Sequence, residues 1–288
     1  MEKIKRIAVL LTCFNRKNKT DLCLESFFIA IKSVTDFVFD VYLVDDASKD
    51  GTALLVKQKY PMVNLIIGSG SLFWAGGMRL AWKTALKTGK EYDGFLLIND
   101  DVCFFSSFWY QIDATLKYIK QNYNRSGICV LSTVDEATGM ISYGGYKLAN
   151  KFFKHKTFQV FPMDIPQECH LANANILYVP NDVVTRIGIL DSNFTHSLAD
   201  FDYTLTAYKK GIPVLVGSDY GGFCMNDHPS KTIANTLRKR IRDLYDIKGL
   251  ALNEYLYYLN KHFWWKAPYA FIIHWMKVFF PCFNEKNR

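Results

Sequence analysis

No two of the seven cysteines stand in a CxxC pair; Cys13, Cys23, Cys103, Cys129, Cys169, Cys224 and Cys282 are scattered and odd in number. That speaks against a zinc knuckle and a disulfide framework, and it suits reduced thiols in a cytosolic compartment. No stretch reaches 18 uncharged apolar residues, so no membrane-spanning helix is expected. No secretory leader is expected either. Met1 to Arg6 runs into only five apolar residues, Ile7 to Leu11, and the following Cys13-Phe-Asn-Arg16 is no small-residue cleavage site. Internal repeats and low-complexity linkers are absent. Charged residues make up only 22% while half of the chain is hydrophobic, a globular balance that excludes a disordered or fibrous chain.

What is present begins with size and aromatics. The 288 residues allow one large domain or two small ones, and 16% are aromatic, more than an ordinary core asks for. The charge is unevenly placed. From Lys231 onward eleven Lys or Arg face four acids, which accounts for nearly all of the chain's +8. A near-neutral body with a basic tail points to two different tasks.

Apolar runs at 7–12, 41–44, 63–67 and 94–98 alternate with helical stretches, the third of these over 76–87. Runs of this kind suit strands buried on both faces of a parallel sheet, so the first hundred residues read as a doubly wound α/β half-domain. Sheets of this class bind ligands at the carboxyl ends of their strands. Three polar clusters sit there: Thr12–Arg16, Asp45–Asp46 and Asn99–Asp101. Together they make a nucleotide-sized site lined with carboxylates able to hold a divalent cation. Beyond residue 130 the pattern loosens. Hairpins are expected at Ala137-Thr-Gly139 and Tyr143-Gly-Gly145, an irregular loop over 150–170 and a strand at 174–179. Asn181-Asp182 and Ser197 are expected to cap two further helices, the second carrying Asp200 and Asp202.

At this point an ordered set of segments is recognisable. Leu10-Leu-Thr-Cys-Phe-Asn-Arg16, Val44-Asp-Asp-Ala-Ser-Lys-Asp-Gly-Thr52, Trp74-Ala-Gly-Gly-Met-Arg79 and Leu96-Leu-Ile-Asn-Asp-Asp-Val102 follow one another. Gly188–Asp191, Ala199-Asp-Phe-Asp-Tyr203 and a late His228 complete the set. Over roughly residues 5–230 this resembles a family-2 glycosyltransferase of the GT-A fold, a Rossmann-like, mainly parallel mixed sheet flanked by helices. The resemblance implies a catalytic domain at 1–230, with a donor half to about 104 and an acceptor half over 105–230, followed by a helical extension at 231–288. It also implies inverting transfer of a sugar from a nucleotide diphosphate to an acceptor hydroxyl, usually with Mg2+ or Mn2+.

Residue by residue, the family's acid-X-acid metal motif falls on Asn99-Asp100-Asp101. Asp101 matches the metal-binding position, and Asn99 replaces the first carboxylate, leaving one charge fewer. The plain alternative is a polar turn. Asp45 matches the position that contacts the donor base, with Thr12 beside it and Asp100 in the same donor set; a helix cap is the alternative for Asp45. Asp46 and Asp50 read better as caps. Arg79 is a candidate for the diphosphate, where a guanidinium suits bidentate phosphate geometry, whereas Arg16 reads better as a surface side chain. Asp200 matches the catalytic base, although the acid that usually precedes it is Ala199. The alternative for Asp200 is an acid that stabilises a helix N-terminus. Asp202 lies about 200° further round the helix and is expected to orient the site or touch the acceptor. His228 is expected to complete the metal site, with His196 a weaker substitute.

The tail falls outside the resemblance. Its basic cluster Arg238-Lys-Arg-Ile-Arg242 precedes an aromatic segment over 262–280 interrupted by Lys266, Pro268, His274 and Lys277. Phe263, Trp264, Trp265, Phe271, Ile272, Trp275 and Phe279 are expected to enter the headgroup layer of an anionic membrane, with the cations at its surface. The alternative is a packed helical cap or a homo-oligomer face. Nucleic acid is not expected, because the charge comes with a bulky apolar face.

The expected enzyme therefore works on the cytoplasmic face of the membrane. It passes a UDP- or dTDP-linked sugar to a lipid-linked glycan in bacterial surface polysaccharide biosynthesis. Gly70-Ser-Leu-Phe-Trp-Ala-Gly-Gly77 is similar to branches that use rhamnose or galactose donors, galactofuranose included. A sugar-nucleotide nucleotidyltransferase would need a Gly-rich basic loop after the first strand, which Thr12-Cys-Phe-Asn-Arg16 is not. A catalytically silent relative is the other rival, kept open by the acids missing at 99 and 199.

Overall fold

Strand β1 (Lys5–Cys13) leads into α1 (Lys17–Ile31), β2 (Phe37–Asp45), α2 (Thr52–Lys59), β3 (Asn64–Ile67), α3 (Phe73–Lys87) and β4 (Gly94–Ile98). This comes from a computed structural model, which describes residues 4–149, 157–226 and 236–280. The chain continues through β5 (Cys103–Phe104), α4 (Phe108–Tyr123), β6 (Ile128–Val134), β7 (Ile141–Tyr143) and β8 (Gly145–Leu148). Next come β9 (Thr157–Val160), β10 (Gln167–Glu168), β11 (Leu171–Ala172), β12 (Ile176–Pro180), α5 (Asn181–Ile187), α6 (Ala199–Lys209) and β13 (Val214–Phe223). The tail forms α7 (Leu237–Leu244), α8 (Leu252–Phe263) and α9 (Ala267–Phe279).

The central sheet has the order β10-β13-β6-β12-β4-β1-β2-β3, with β5 on β13 and β7 on β6. β3, β2, β1 and β4 are mutually parallel, as the alternation of strands and helices requires. β12 runs antiparallel to both β4 and β6, and β13 returns parallel to β6. The sheet is therefore mixed and mainly parallel. The reason lies in β1, where Ile7 to Cys13 are all buried. Ala8 and Leu10 pack with Met78, Ala81 and Trp82 of α3 on one face. Ile7, Val9 and Leu11 pack with Leu24 and Phe27 of α1 and Phe108 and Ile112 of α4 on the other. A strand covered on both faces has no polar alternation to show. At the end of β1, a Cβ on Gly77 would fall 2.1 Å from Thr12 Oγ1, so glycine lets α3 lie directly against the strand end.

Two local readings need correction. Residues 157–160 and 167–168 are strands, not part of an irregular loop; 150–156 lie outside the described residues. Ser197 does not cap α6; its hydroxyl donates to Gly249 O (2.9 Å), and Leu198 fills the cap position with φ 67°. The hairpin at 137–139 is present and joins β6 to β7, with Gly139 at φ +67°.

The tail is built into the body through α8 and the first turns of α9. Tyr258 and Leu259 of α8 and Ala267 and Ala270 of α9 share one core with α3 and α6, so packing runs across the 230/231 boundary. Trp264, Trp265, Phe271, Ile272 and Phe279 are exposed as expected. Phe263 and Trp275 are not: each packs inward against a core cluster. Lys266 is buried too, its ammonium 4.5 Å from the Phe263 ring centre. Helix docking, not composition, decided which aromatics face out.

Candidate active site

The loops leaving β1 and β2 are tied to one another. Asn15 N donates to Ser48 Oγ (2.8 Å), Lys49 N to Asn15 Oδ1 (2.7 Å) and Ser48 N to Asp45 Oδ1 (2.9 Å). Asp45 is 1% exposed, and its other oxygen, Oδ2, is buried with no hydrogen-bond partner among the described residues. A buried carboxylate oxygen without a donor is costly, and it asks for a ligand N–H. Thr12 Oγ1 donates to Val44 O (3.1 Å) and so locks the neighbouring strand end. Asp46 accepts from Gly70 N, Leu72 N and Phe73 N at 2.7, 2.8 and 3.2 Å, and thereby shapes the 68–73 loop, the structural role expected of it.

At the end of β4, Asn99 Oδ1 accepts from Trp74 Nε1 (2.8 Å). Asp100 accepts from Arg16 Nη1 (2.9 Å) and Thr20 Oγ1 (3.3 Å). Asp101 accepts from Arg16 Nη2 and from Cys224 Sγ (3.4 Å). Burial pushes the Asp100 carboxyl up to about 7 despite the adjacent guanidinium. Arg16, read from sequence as a surface residue, instead spans both carboxylates.

Asp200 opens α6. Its Oδ2 accepts from Ala174 N (3.2 Å) and its Oδ1 from Phe201 N (2.8 Å). Burial raises its carboxyl above the ordinary Asp range. The same short segment reaches the β4 end, because Asn99 N donates to Asn175 O (3.1 Å) and Asn175 Nδ2 to Cys224 Sγ (3.4 Å). Asp200 and Asp101, far apart in sequence, are thus joined through residues 174–175 and Cys224. Strain gathers here as well. Of five non-glycine residues at positive φ, Asn15, Ala47, Phe73 and Leu198 lie on the loops of this edge, and the fifth, Asn124, ends α4. Such conformations cost roughly 1–3 kcal/mol each and concentrate at functional sites.

Two expected contacts are placed differently. Arg79 Nη1 donates to Asp191 O (2.9 Å) and Phe194 O (2.6 Å), which fixes the segment before α6. Asp202 is 2% exposed, and its oxygens are taken by Lys261 Nζ (2.8 Å) and His262 Nε2 (2.7 Å) of α8. Both of its carboxylate oxygens are therefore turned to α8. His228 lies outside the described residues. His196 packs edge-on against Phe73, with ring centres 6.2 Å apart. Among the described residues no three His, Cys, Asp or Glu assemble into a metal cage.

No protein-family model matches the sequence and no curated protein matches it. Solved structures do. The mannosyltransferase PcManGT from Pyrobaculum calidifontis, in complex with GDP-Man and Mn2+, aligns over 86% of this chain and 62% of its own at 13% identity, TM-score 0.52. S. aureus TarS 1–349 aligns over 88% and 65% at 17% identity, TM-score 0.51. Its complex with UDP aligns over 90% and 72% at 16%, TM-score 0.52. The fold is that of the GT-A glycosyltransferases. At these identities the likeness is one of fold, and the chain spans under two thirds of the first two structures' length. Within the GT-A sheet, the carboxyl edge of β1, β2 and β4 is where Asp45, Asn99, Asp100 and Asp101 stand. Sequence reasoning missed Arg16, Cys224 and the α8 pair Lys261–His262. Arg16 lay in a quoted segment, but nothing in its neighbours marks which carboxylates it reaches.

Proposed function

We propose that this chain is an inverting glycosyltransferase that moves a sugar from a nucleotide diphosphate to a hydroxyl of a glycan, lipid-linked in surface polysaccharide synthesis. The observation that carries the reading is the unpartnered, buried Asp45 Oδ2 on the GT-A carboxyl edge. A pyrimidine base presents an N–H of the kind that oxygen lacks, which favours UDP- or dTDP-linked donors. Thr12 holds the strand end beside it. Asp200 accepts the acceptor hydroxyl's proton as that oxygen attacks the anomeric carbon. Burial raises its carboxyl above the ordinary Asp range, which makes it the better proton acceptor.

The donor set also fits Mg2+ or Mn2+. Such ions are held by one or two carboxylates together with substrate phosphates and need no protein cage, and Asp101 with Asp100 supplies the carboxylates. When bound, the ion supplies Lewis-acid stabilisation of the departing diphosphate. Asn99 keeps its oxygen on Trp74 and so shapes the floor of the site.

The test is a thermal-shift panel of UDP-, dTDP- and GDP-sugars with Mn2+, in which a donor that binds the folded protein raises its melting temperature. Asp45→Asn gives an opposed pair of effects. It removes an unpaired buried charge, so the free protein melts no lower than wild type. It sets an amide N–H against the base N–H, so nucleotide affinity falls roughly tenfold or more, in line with the 1.5–3 kcal/mol of a hydrogen bond to a charged group. Unchanged nucleotide affinity in this variant defeats the base-binding role of Asp45.

The same reading places the enzyme peripherally on the cytoplasmic face of an anionic membrane. No helix among the described residues is long and apolar enough to cross one. Its support is the outward face of the tail, with Trp264 70% and Tyr269 67% exposed beside Phe271, Ile272 and Phe279, and with Arg238, Lys239 and Arg242 on α7. Full-length protein is expected to sediment with anionic vesicles at low salt and less at high salt, since each cation near such a surface contributes about 1 kcal/mol. Trp264→Ser combined with Ile272→Ser should release it without lowering nucleotide affinity. A wild type that ignores anionic vesicles, or a variant that changes oligomeric state, makes this face a subunit contact.

A further inference from the structure

Among the described residues Arg16 is the cation in contact with the Asp100–Asp101 pair, and its surroundings separate a fixed backbone from a movable side chain. The backbone is held on both sides: Arg16 O accepts from Thr20 N (2.9 Å), and Asn15, at φ 52°, is bound to Ser48 and Lys49. The Arg16 side chain is 36% exposed, while the two Asp side chains it bridges are 5% and 13% exposed. Its two terminal nitrogens take one carboxylate each, Nη1 on Asp100 and Nη2 on Asp101. Among the described residues the remaining hydrogen-bonded neighbours are uncharged. Asn99 turns its oxygen to Trp74, Thr20 donates to Asp100 and Cys224 donates to Asp101.

We infer that Arg16 is a resident counter-cation, which a divalent ion displaces from Asp101 only when a nucleotide diphosphate offers the guanidinium another seat. The inference rests on the proposed donor chemistry and adds an order to it. Two carboxylates at a buried strand end repel one another, and a tethered guanidinium relieves this wherever no other cation is bound. An ion arriving alone must compete with a charge that the chain itself holds in place. A diphosphate changes the balance, because a guanidinium pairs with phosphate oxygens in the same forked geometry it uses for carboxylates. Arg16 moving from carboxylate to phosphate leaves Asp101 open and neutralises the donor in one motion. Ion and nucleotide then bind with positive coupling, and the coupling is reciprocal. The exposed side of the guanidinium is the side from which the donor arrives.

Arg16→Met keeps much of the side-chain length and removes the charge; Arg16→Gln is the companion should Met disturb the loop. Mn2+ is titrated into each protein without nucleotide and followed by the signal of the free ion. Removal of a unit charge within bonding distance should tighten Mn2+ binding roughly tenfold or more in either variant relative to wild type. The gain should vanish in the Arg16→Met, Asp101→Ala double variant. UDP binding in chelator should weaken in Arg16→Met, and the ratio of Mn2+ affinities with and without UDP should shrink. Mn2+ affinity that is unchanged or weaker in both single variants overturns the inference, as does a gain that survives loss of Asp101. The arm without nucleotide contains no sugar donor, so its failure is distinct from failure of the glycosyltransferase reading, which is instead marked by a wild type that binds no nucleotide sugar.

Discussion

Asp200→Asn is expected to lower turnover by roughly 10²–10⁴ while leaving donor affinity intact, the usual worth of a positioned proton acceptor. The amide is the same size as the carboxylate and its oxygen can still accept from Phe201 N or Ala174 N, so the start of α6 keeps its place. What is lost is the ability to take a proton. Burial holds the Asp200 carboxyl above the ordinary value of 3.8, so the acid limb of turnover should lie above that value, with activity lost as pH falls through it. The stability effect has the opposite sign. A carboxyl whose folded-state titration is raised contributes stability only in its protonated form, present below the unfolded value and lost as pH rises through the folded one. At neutral pH the Asn variant should therefore melt no lower than wild type, which separates lost chemistry from lost folding. Single-turnover rates with saturating donor, compared across pH, are the measurement. Near-normal turnover would move the base elsewhere, and not to Asp202, whose oxygens are both paired.

His262→Ala is expected to lower stability by roughly 1–3 kcal/mol, the cost of leaving a buried acceptor without its hydrogen-bond partner. At roughly 2–4 °C of melting temperature for each kcal/mol in a chain of this size, the drop is plain in a calorimetric scan. His262 and Asp202 side chains are each 3% exposed, so the bared Asp202 oxygen has no water to turn to. The pair belongs to a larger interlock between α8 and the segment that leads into Asp200. Lys261 Nζ reaches Asp191 and Asp202, both at 2.8 Å. Tyr257 OH donates to Asp191 (3.0 Å) and Glu254 accepts from Thr195 N (3.1 Å). Held on its other side by Arg79, this segment has few ways to move. A cut before Lys261 removes both partners of Asp202 along with α9. It should cost the core its cooperative melt, and so cannot serve to separate membrane binding from nucleotide binding. A truncated protein that melts like the full chain would show that the interlock holds nothing.

The strand runs of the first hundred residues and the polar clusters that end them were determined locally. A strand buried on both faces needs an unbroken apolar run, and parallel winding sends every such run to the same edge. Asp45, Asn99, Asp100 and Asp101 could therefore be placed together from the sequence, whereas Asp200 was assigned only by the family resemblance. The second half of the sheet was not legible. α4, β6 and β13 left no distinct reading, because β12 enters antiparallel between β4 and β6 and breaks the simple alternation. Side-chain partners were decided by tertiary structure alone. Asp202 and His262 are 60 residues apart, and Arg16 and Asp101 are 85, with nothing in either neighbourhood to pair them. The same holds for the tail. Its composition announced an apolar face, but only the docking of α8 and α9 turned Phe263, Trp275 and Lys266 inward and left Trp264 and Ile272 outside. Burial depends on what lies across from a side chain, and a sequence records only what lies beside it.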